Sequence, residues 1–155
     1  MVTIREARES DVEVLVDLVV RLKRLNSEFD PLFSARNDCA ERARGYLVNA
    51  VHNGKDHLLL VAEDMGKIVG FIKADIRERL FYSPSVEGAI VDFYIMPEYR
   101  RKGLGRMMLE KAIAMLHERG AQLITAEFPT QNQIAINFYN KMGFRSLVSI
   151  YAKET

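Results

Sequence analysis

The stretch from Ala89 to Leu116, AIVDFYIMPEYRRKGLGRMMLEKAIAML, constrains this chain most. An apolar run that reads as a strand leads through Pro97 into a basic loop. Gly103 and Gly105 stand where that loop turns into a helix. A helix start carries backbone N–H groups without intrahelical partners and the positive end of the helix dipole. Glycine lets the backbone approach an anion closely, because no Cβ stands in the way. Arg100, Arg101, Lys102 and Arg106 add four cations within seven residues. The junction is therefore predicted to hold a phosphate group. A strand, a helix and a returning strand also imply one parallel pair with a right-handed crossover.

The rest of the chain limits what that phosphate belongs to. A length of 155 residues fits one domain, taken as 1–155. The net charge is only +1, so no global field draws the chain to nucleic acid or to a membrane surface. The positive charge around Arg100 is local and suits a small anionic ligand. Cys39 is the only cysteine, which excludes an intrachain disulfide and fits a reducing compartment. It lies in an amphipathic, helix-like stretch and reads as structural. His52, His57 and His117 show no metal-ligand spacing, so no metal is expected. With no signal peptide and no apolar run of about 18 residues, a soluble cytoplasmic protein is expected.

Periodicity gives the remaining elements. Val2 to Arg5 alternates as a half-buried strand does. Ser10 and Glu13 have the spacing of a capping box, and apolar residues at Val12, Leu15, Val16, Val19 and Leu22 predict a helix over about 11–26. Pro31 breaks the chain into a loop carrying Glu28, Phe29, Asp30 and Phe33, which reads either as a solvated loop with two apolar anchors or as acids and aromatics that bind an amine. A second helix follows over about 38–51, with Asp38 and Glu41 repeating the capping spacing at its start and Asn53-Gly54 at its end. Leu58 to Glu63 and Ile68 to about Arg79 form a hairpin, with Gly70 marking a bulge. The strand of about 89–96 and the helix after Gly105 come next. Then follow a strand over about 123–128, a helix over about 133–142, and a final alternating strand from Leu147 to Lys153. The sum is an α+β architecture with a mixed, mostly antiparallel sheet of about six strands and four helices.

Three phosphate loops compete for the basic junction. The G-x-x-x-x-G-K-[S/T] pattern of a P-loop is absent. Gly103-Leu-Gly105-Arg-Met-Met108 has only the first two glycines of a dinucleotide fingerprint, and no strand-ending acid follows about 20 residues later. The third pattern, Arg100-x-x-Gly103-x-Gly105, resembles the acyl-coenzyme A signature of the GNAT family of N-acetyltransferases. Downstream, Asn132-x-x-Ala135-x-x-Phe138-Tyr139-x-x-x-Gly143-Phe144 is similar to that family's later helix motif. The two motifs occur in the family's order and at about its spacing, and the element order agrees over nearly the whole chain.

The resemblance implies acetyl-coenzyme A as cosubstrate and strands that splay at its site. Arg100, Arg101, Lys102, Gly103, Leu104, Gly105 and Arg106 correspond to the pyrophosphate loop. Phe93, Tyr94 and Ile95 correspond to the strand edge that binds the pantetheine arm, and Asn132 to a further contact with that arm. Tyr139 matches the tyrosine that faces the coenzyme sulfur. A phenol with its ordinary pKa of about 10 is protonated at neutral pH and can donate to a thiolate. Asp92 is the acid inside the strand before the loop. It reads equally as a base acting through water, an anchor for a cationic substrate, or a structural acid. The glutamate common before it in the polyamine-acetylating branch is replaced by Val91.

For the acceptor, Glu28, Tyr82 and Glu87 are the weaker candidates. A small amine or polyamine is expected first, with a protein N-terminus or lysine as the alternative. A non-catalytic coenzyme A-binding module is the alternative of another class, and the edge left by a short final strand suits a homodimer.

Overall fold

The computed structural model describes residues 1–155. The chain runs β1 (Val2–Glu6), α1 (Val12–Asn26), α2 (Cys39–His52), β2 (His57–Asp64), β3 (Lys67–Glu78), β4 (Val86–Ile95), α3 (Leu104–Glu118), β5 (Leu123–Ala126) and α4 (Gln133–Lys141). Single 3-10 turns at Glu9–Asp11, Pro31–Phe33 and Pro97–Tyr99 link the elements. No helix is long and apolar enough to cross a membrane.

The sheet has the order β1-β2-β3-β4-β5. All neighbours are antiparallel except β4 and β5, which are joined through α3 as a parallel pair. β2 and β3 read as apolar runs because the sheet is covered on both faces there. Lys73 of β3 and Asp92 of β4 face α1 and α2, where Tyr46 and Lys23 meet them. By the two-residue period their neighbours Ile72 and Phe93 face the other way. On that side α3 buries Leu104, Met108, Leu109, Ala112 and Leu116, the stripe that its 3.6-residue period presents. The buried apolar residues of both faces form one continuous core.

Two irregularities in the sheet matter for the site. Between β2 and β3 the pairing passes from Ala62↔Gly70 to Glu63↔Ile68, so the bulge is at Val69, beside the glycine expected to mark it. Between β3 and β4 it passes from Lys73↔Asp92 to Ala74↔Ile90, leaving Val91 as an extra residue. A bulge of one residue reverses which face the following side chains take. Val91 is therefore what turns Asp92 toward α1 and α2.

Three expectations need correction. The sheet has five strands, not about six: residues 147–153 form no strand, and Leu147, Val148, Ile150 and Tyr151 are exposed. Alternation makes a strand only where a neighbour supplies hydrogen bonds and one face is buried, and this segment has neither. Ser10 does not cap α1. Asp11 turns inward instead, accepting from the Arg5 guanidinium at 2.8 and 3.0 Å and from the Arg8 N–H at 2.7 Å. A buried ion pair thus outcompetes a serine cap at the helix start. Asp38, placed to cap α2, makes no such bond and pairs with Arg36 and Arg42.

Candidate active site

The loop between β4 and α3 takes its shape from two left-handed residues, Arg101 at φ 61° and Gly103 at φ 78°. Gly103 adopts that conformation without strain, whereas Arg101 is a non-glycine held there. Alternating hands of this kind curl successive N–H groups toward a common point. The N–H of Arg100 bonds the Pro97 carbonyl and that of Met107 bonds the Gly103 carbonyl, at 3.2 and 3.1 Å. None of the six N–H groups between them, Arg101 to Arg106, has an acceptor in the chain. Gly105 lies against α4: a Cβ there would be in van der Waals contact with the Phe138 ring, at 3.4 Å. The four cations have different duties. Arg100 donates to the Ile95 carbonyl at 2.7 Å and lies over the Tyr94 ring. Arg106 pairs with Glu110 at 2.8 Å, and Lys102 lies over Tyr99. Arg101 has no ion-pair partner.

The strand before the loop is open along one edge. β5 pairs with β4 only from Glu87↔Leu123 to Ile90↔Ala126, and the last contact is Glu127 N–H to the Ile90 carbonyl at 2.9 Å. Beyond it, Val91 to Ile95 keep β3 on one side and no strand on the other. The parallel pair has splayed, as the resemblance implied.

Aromatic rings close the α3 side of this gap. Phe138 of α4 meets Phe93 edge-on at 5.9 Å between centroids. Tyr139 stacks on Phe128 at 5.4 Å and meets Phe138 and Phe144 edge-on. The Tyr139 ring is buried, yet its hydroxyl has no partner in the chain and stays in contact with solvent. Burial pushes its pKa up, since the phenolate loses more solvation than the phenol. Asn132 caps α4, its Oδ1 accepting from the Ala135 N–H at 3.0 Å, which leaves its amide NH2 free.

On the opposite face lies a buried charged cluster. The Asp92 side chain is only 3% exposed, and its two oxygens accept from Lys23 Nζ at 2.5 Å and from the Tyr46 hydroxyl. Burial and the Asp92 charge together push the Tyr46 pKa up. Lys73, also buried, donates to Asp75 at 2.6 Å and lies 4.2 Å from the centre of the Tyr46 ring. The structure thus brings Asp92 beside the open edge but commits it to two donors. Sequence reasoning missed Lys23, Tyr46 and Lys73. The signal for two of them was present: Lys23 follows Val19 by one turn at the border of the α1 stripe, and Tyr46 follows Ala43 on the α2 stripe.

The weaker acceptor candidates do not converge. Glu28 is exposed on the loop after α1, and Tyr82 is exposed in the β3–β4 loop with the Arg79 guanidinium over its ring. Glu87 is half-buried and takes the Thr125 hydroxyl across the parallel pair. No cluster of potential metal ligands is present.

A mixed sheet whose parallel pair splays beside an unsatisfied helix start is the frame that the resemblance to the GNAT family implied. The profile of the acetyltransferase (GNAT) family matches residues 21–144, and the chain belongs to that family. It is 25% identical over 142 residues to an uncharacterized N-acetyltransferase of Methanocaldococcus jannaschii, covering 92% of this chain and 60% of that protein's length. Among solved structures, a transcriptional regulator from Bacillus halodurans C-125 superposes with a TM-score of 0.79 at 25% identity, covering 100% of both chains. A predicted acetyltransferase from Clostridium acetobutylicum, solved with acetyl-CoA, also gives 0.79, at 19% identity over 99% of this chain and 96% of that one.

Proposed function

We propose that this chain transfers the acetyl group of acetyl-coenzyme A to the primary amine of a small acceptor by direct attack. The observation that carries the reading is the run of six unpaired N–H groups from Arg101 to Arg106, placed at the end of a strand whose edge is also unpaired. Each is costly to leave without an acceptor once water is excluded. A pyrophosphate joined to a peptide-like arm matches both at once, and the Clostridium structure was solved with such a molecule.

In this reading the loop amides, with Gly103, Leu104 and Gly105 at the centre, hold the pyrophosphate, and Arg101 adds the free cation. Arg100 acts by strapping the loop to Ile95 rather than by facing the anion. The edge of Phe93, Tyr94 and Ile95 pairs with the amides of the pantetheine arm, and the free NH2 of Asn132 supplies a further contact. Acetyl-coenzyme A supplies an activated thioester carbonyl. A backbone N–H of the open edge near Ile95 is placed to polarise that carbonyl. The amine nitrogen forms the C–N bond as the C–S bond breaks. The Tyr139 hydroxyl gives its proton to the departing sulfur, and the amine's proton passes to solvent. A buried phenol with a raised pKa stays protonated across the neutral range, which is what an acid in this role requires. Asp92, already holding Lys23 and Tyr46, is a positioning residue that fixes α1 and α2 against β4.

Calorimetry with acetyl-coenzyme A tests the central claim. The wild type should bind, and Gly103→Glu should weaken binding by about tenfold or more, because it puts a carboxylate on a left-handed position of the anion cradle. Absence of wild-type binding overturns the proposal.

A further inference from the structure

The acceptor side of this site differs from what the loop composition suggested. An open pocket of about 430 Å³ lies between α1, the Pro31–Phe33 turn and α2. Its polar lining is cationic: Lys23, Arg36 and Arg42, with Phe33, Cys39 and Tyr46 among the apolar and aromatic residues. No carboxylate lines it. The acids expected to greet an amine are directed elsewhere. Asp30 is spent on the Leu32 N–H at 2.8 Å, and Glu28 does not reach the pocket.

The charges do not cancel at the mouth. Arg36 and Arg42 share a single carboxylate, Asp38, each at 2.9 Å. Arg42 uses only its Nε for that pair, which leaves both terminal nitrogens of its guanidinium free. One positive charge therefore remains there, with donors in the planar fork that matches carboxylate and phosphate. At the floor, Lys23 and Tyr46 both grip Asp92, which lies one residue from the open edge at Phe93. The pocket thus has a cationic mouth and a floor against the strand where acetyl transfer is placed.

We propose that this pocket selects an amine whose far end carries a carboxylate or phosphate, with Arg42 and Arg36 seating that anion and the amine directed toward β4. The assignment rests on the acetyltransferase reading for its chemistry, and it replaces a polyamine with an anion-bearing acceptor. The bonds exchanged are those given above. The anion is a handle that does not react, so its seating lowers KM without changing which atoms bond.

The test uses O-phospho-L-serine and L-glutamate as anionic probes and spermidine as the cationic one, with thiol release from acetyl-coenzyme A as the readout. The expected result is a kcat/KM for at least one anionic probe about tenfold or more above that for spermidine. Arg42→Gln should raise the KM for that probe about tenfold, the size of one lost charge-assisted contact, with kcat little changed. Arg36→Gln serves as the second variant, and unchanged melting temperatures establish that both fold. Preference for spermidine, or an unmoved KM in both variants, overturns the proposal. Calorimetry separates it from the parent reading. If acetyl-coenzyme A fails to bind but O-phospho-L-serine binds the wild type and not Arg42→Gln, the anion site stands and the acetyltransferase reading falls. If acetyl-coenzyme A binds and neither anionic probe does, the reverse holds.

Discussion

The Lys23–Asp92–Tyr46 cluster allows a prediction in which two variants that break the same bond have unequal costs. Consider Lys23→Met first. It leaves a carboxylate with 3% side-chain exposure, held only by the Tyr46 hydroxyl. Stranding a buried charge in this way costs about 3–5 kcal/mol. Asp92→Asn leaves the lysine instead, and the Lys23 side chain is 38% exposed, so its ammonium can turn to water. The remaining loss is a weakened bond from the buried Tyr46 hydroxyl, about 1–2 kcal/mol. For a chain of this size about 2–4 °C of melting temperature accompanies each kcal/mol. Lys23→Met should therefore melt about 6–20 °C below wild type, and Asp92→Asn about 2–8 °C below. Thermal and urea melts measure both costs. Equal costs, or a larger cost for Asp92→Asn, would refute the account of Asp92 as a buried acid dependent on its partners.

Tyr139→Phe should lower kcat by about a hundredfold, the usual contribution of a general acid, while the Kd for coenzyme A stays within about threefold. Because burial raises the Tyr139 pKa, the wild type should show no loss of acid catalysis as pH rises to about 10; a basic limb near 8 that disappears in Tyr139→Phe would contradict the raised pKa. The exposed row of Leu147, Val148, Ile150 and Tyr151, together with a β5 edge that pairs only with β4, suits the homodimer expected from the sequence, which we propose here. Light scattering should give a dimer that Val148→Asp with Ile150→Asp converts to monomer, and a monomeric wild type removes that proposal.

How much of this was legible in the sequence follows from which forces are local. The nine regular elements come from periodicities of 3.6 and 2 residues and from glycine and proline positions, all of them nearest-neighbour properties. The boundaries of α1, α2 and α3 accordingly fall within a residue or two of expectation. The shape of the loop proposed to hold the phosphate was legible for the same reason: φ at Gly103 and the unsatisfied helix start depend on adjacent residues alone. The final strand was not, because pairing is a property of two segments, and nothing in residues 147–153 states whether a partner exists. The capping box failed likewise. Ser10 had the right spacing, but Asp11 found Arg5 from β1, a residue whose approach only the folded sheet brings about.

Asp92 shows the limit most sharply. Its identity and its strand were plain, and it does share a face with Tyr94, opposite Phe93. Which helices that face meets depended on a single inserted residue, Val91, and its significance depended on Lys23, 69 positions earlier. The same argument bears on the acceptor. Acids and aromatics in residues 26–36 suggested affinity for a cation, because composition counts charges without regard to direction. Folding spends Asp30 on its own turn, leaves Glu28 outside, and brings Arg36 and Arg42 to the pocket mouth against one shared aspartate. The sign of the pocket is thus set by which carboxylates are already bonded within the protein, and this makes pocket charge a property of the fold rather than of the composition of the loop.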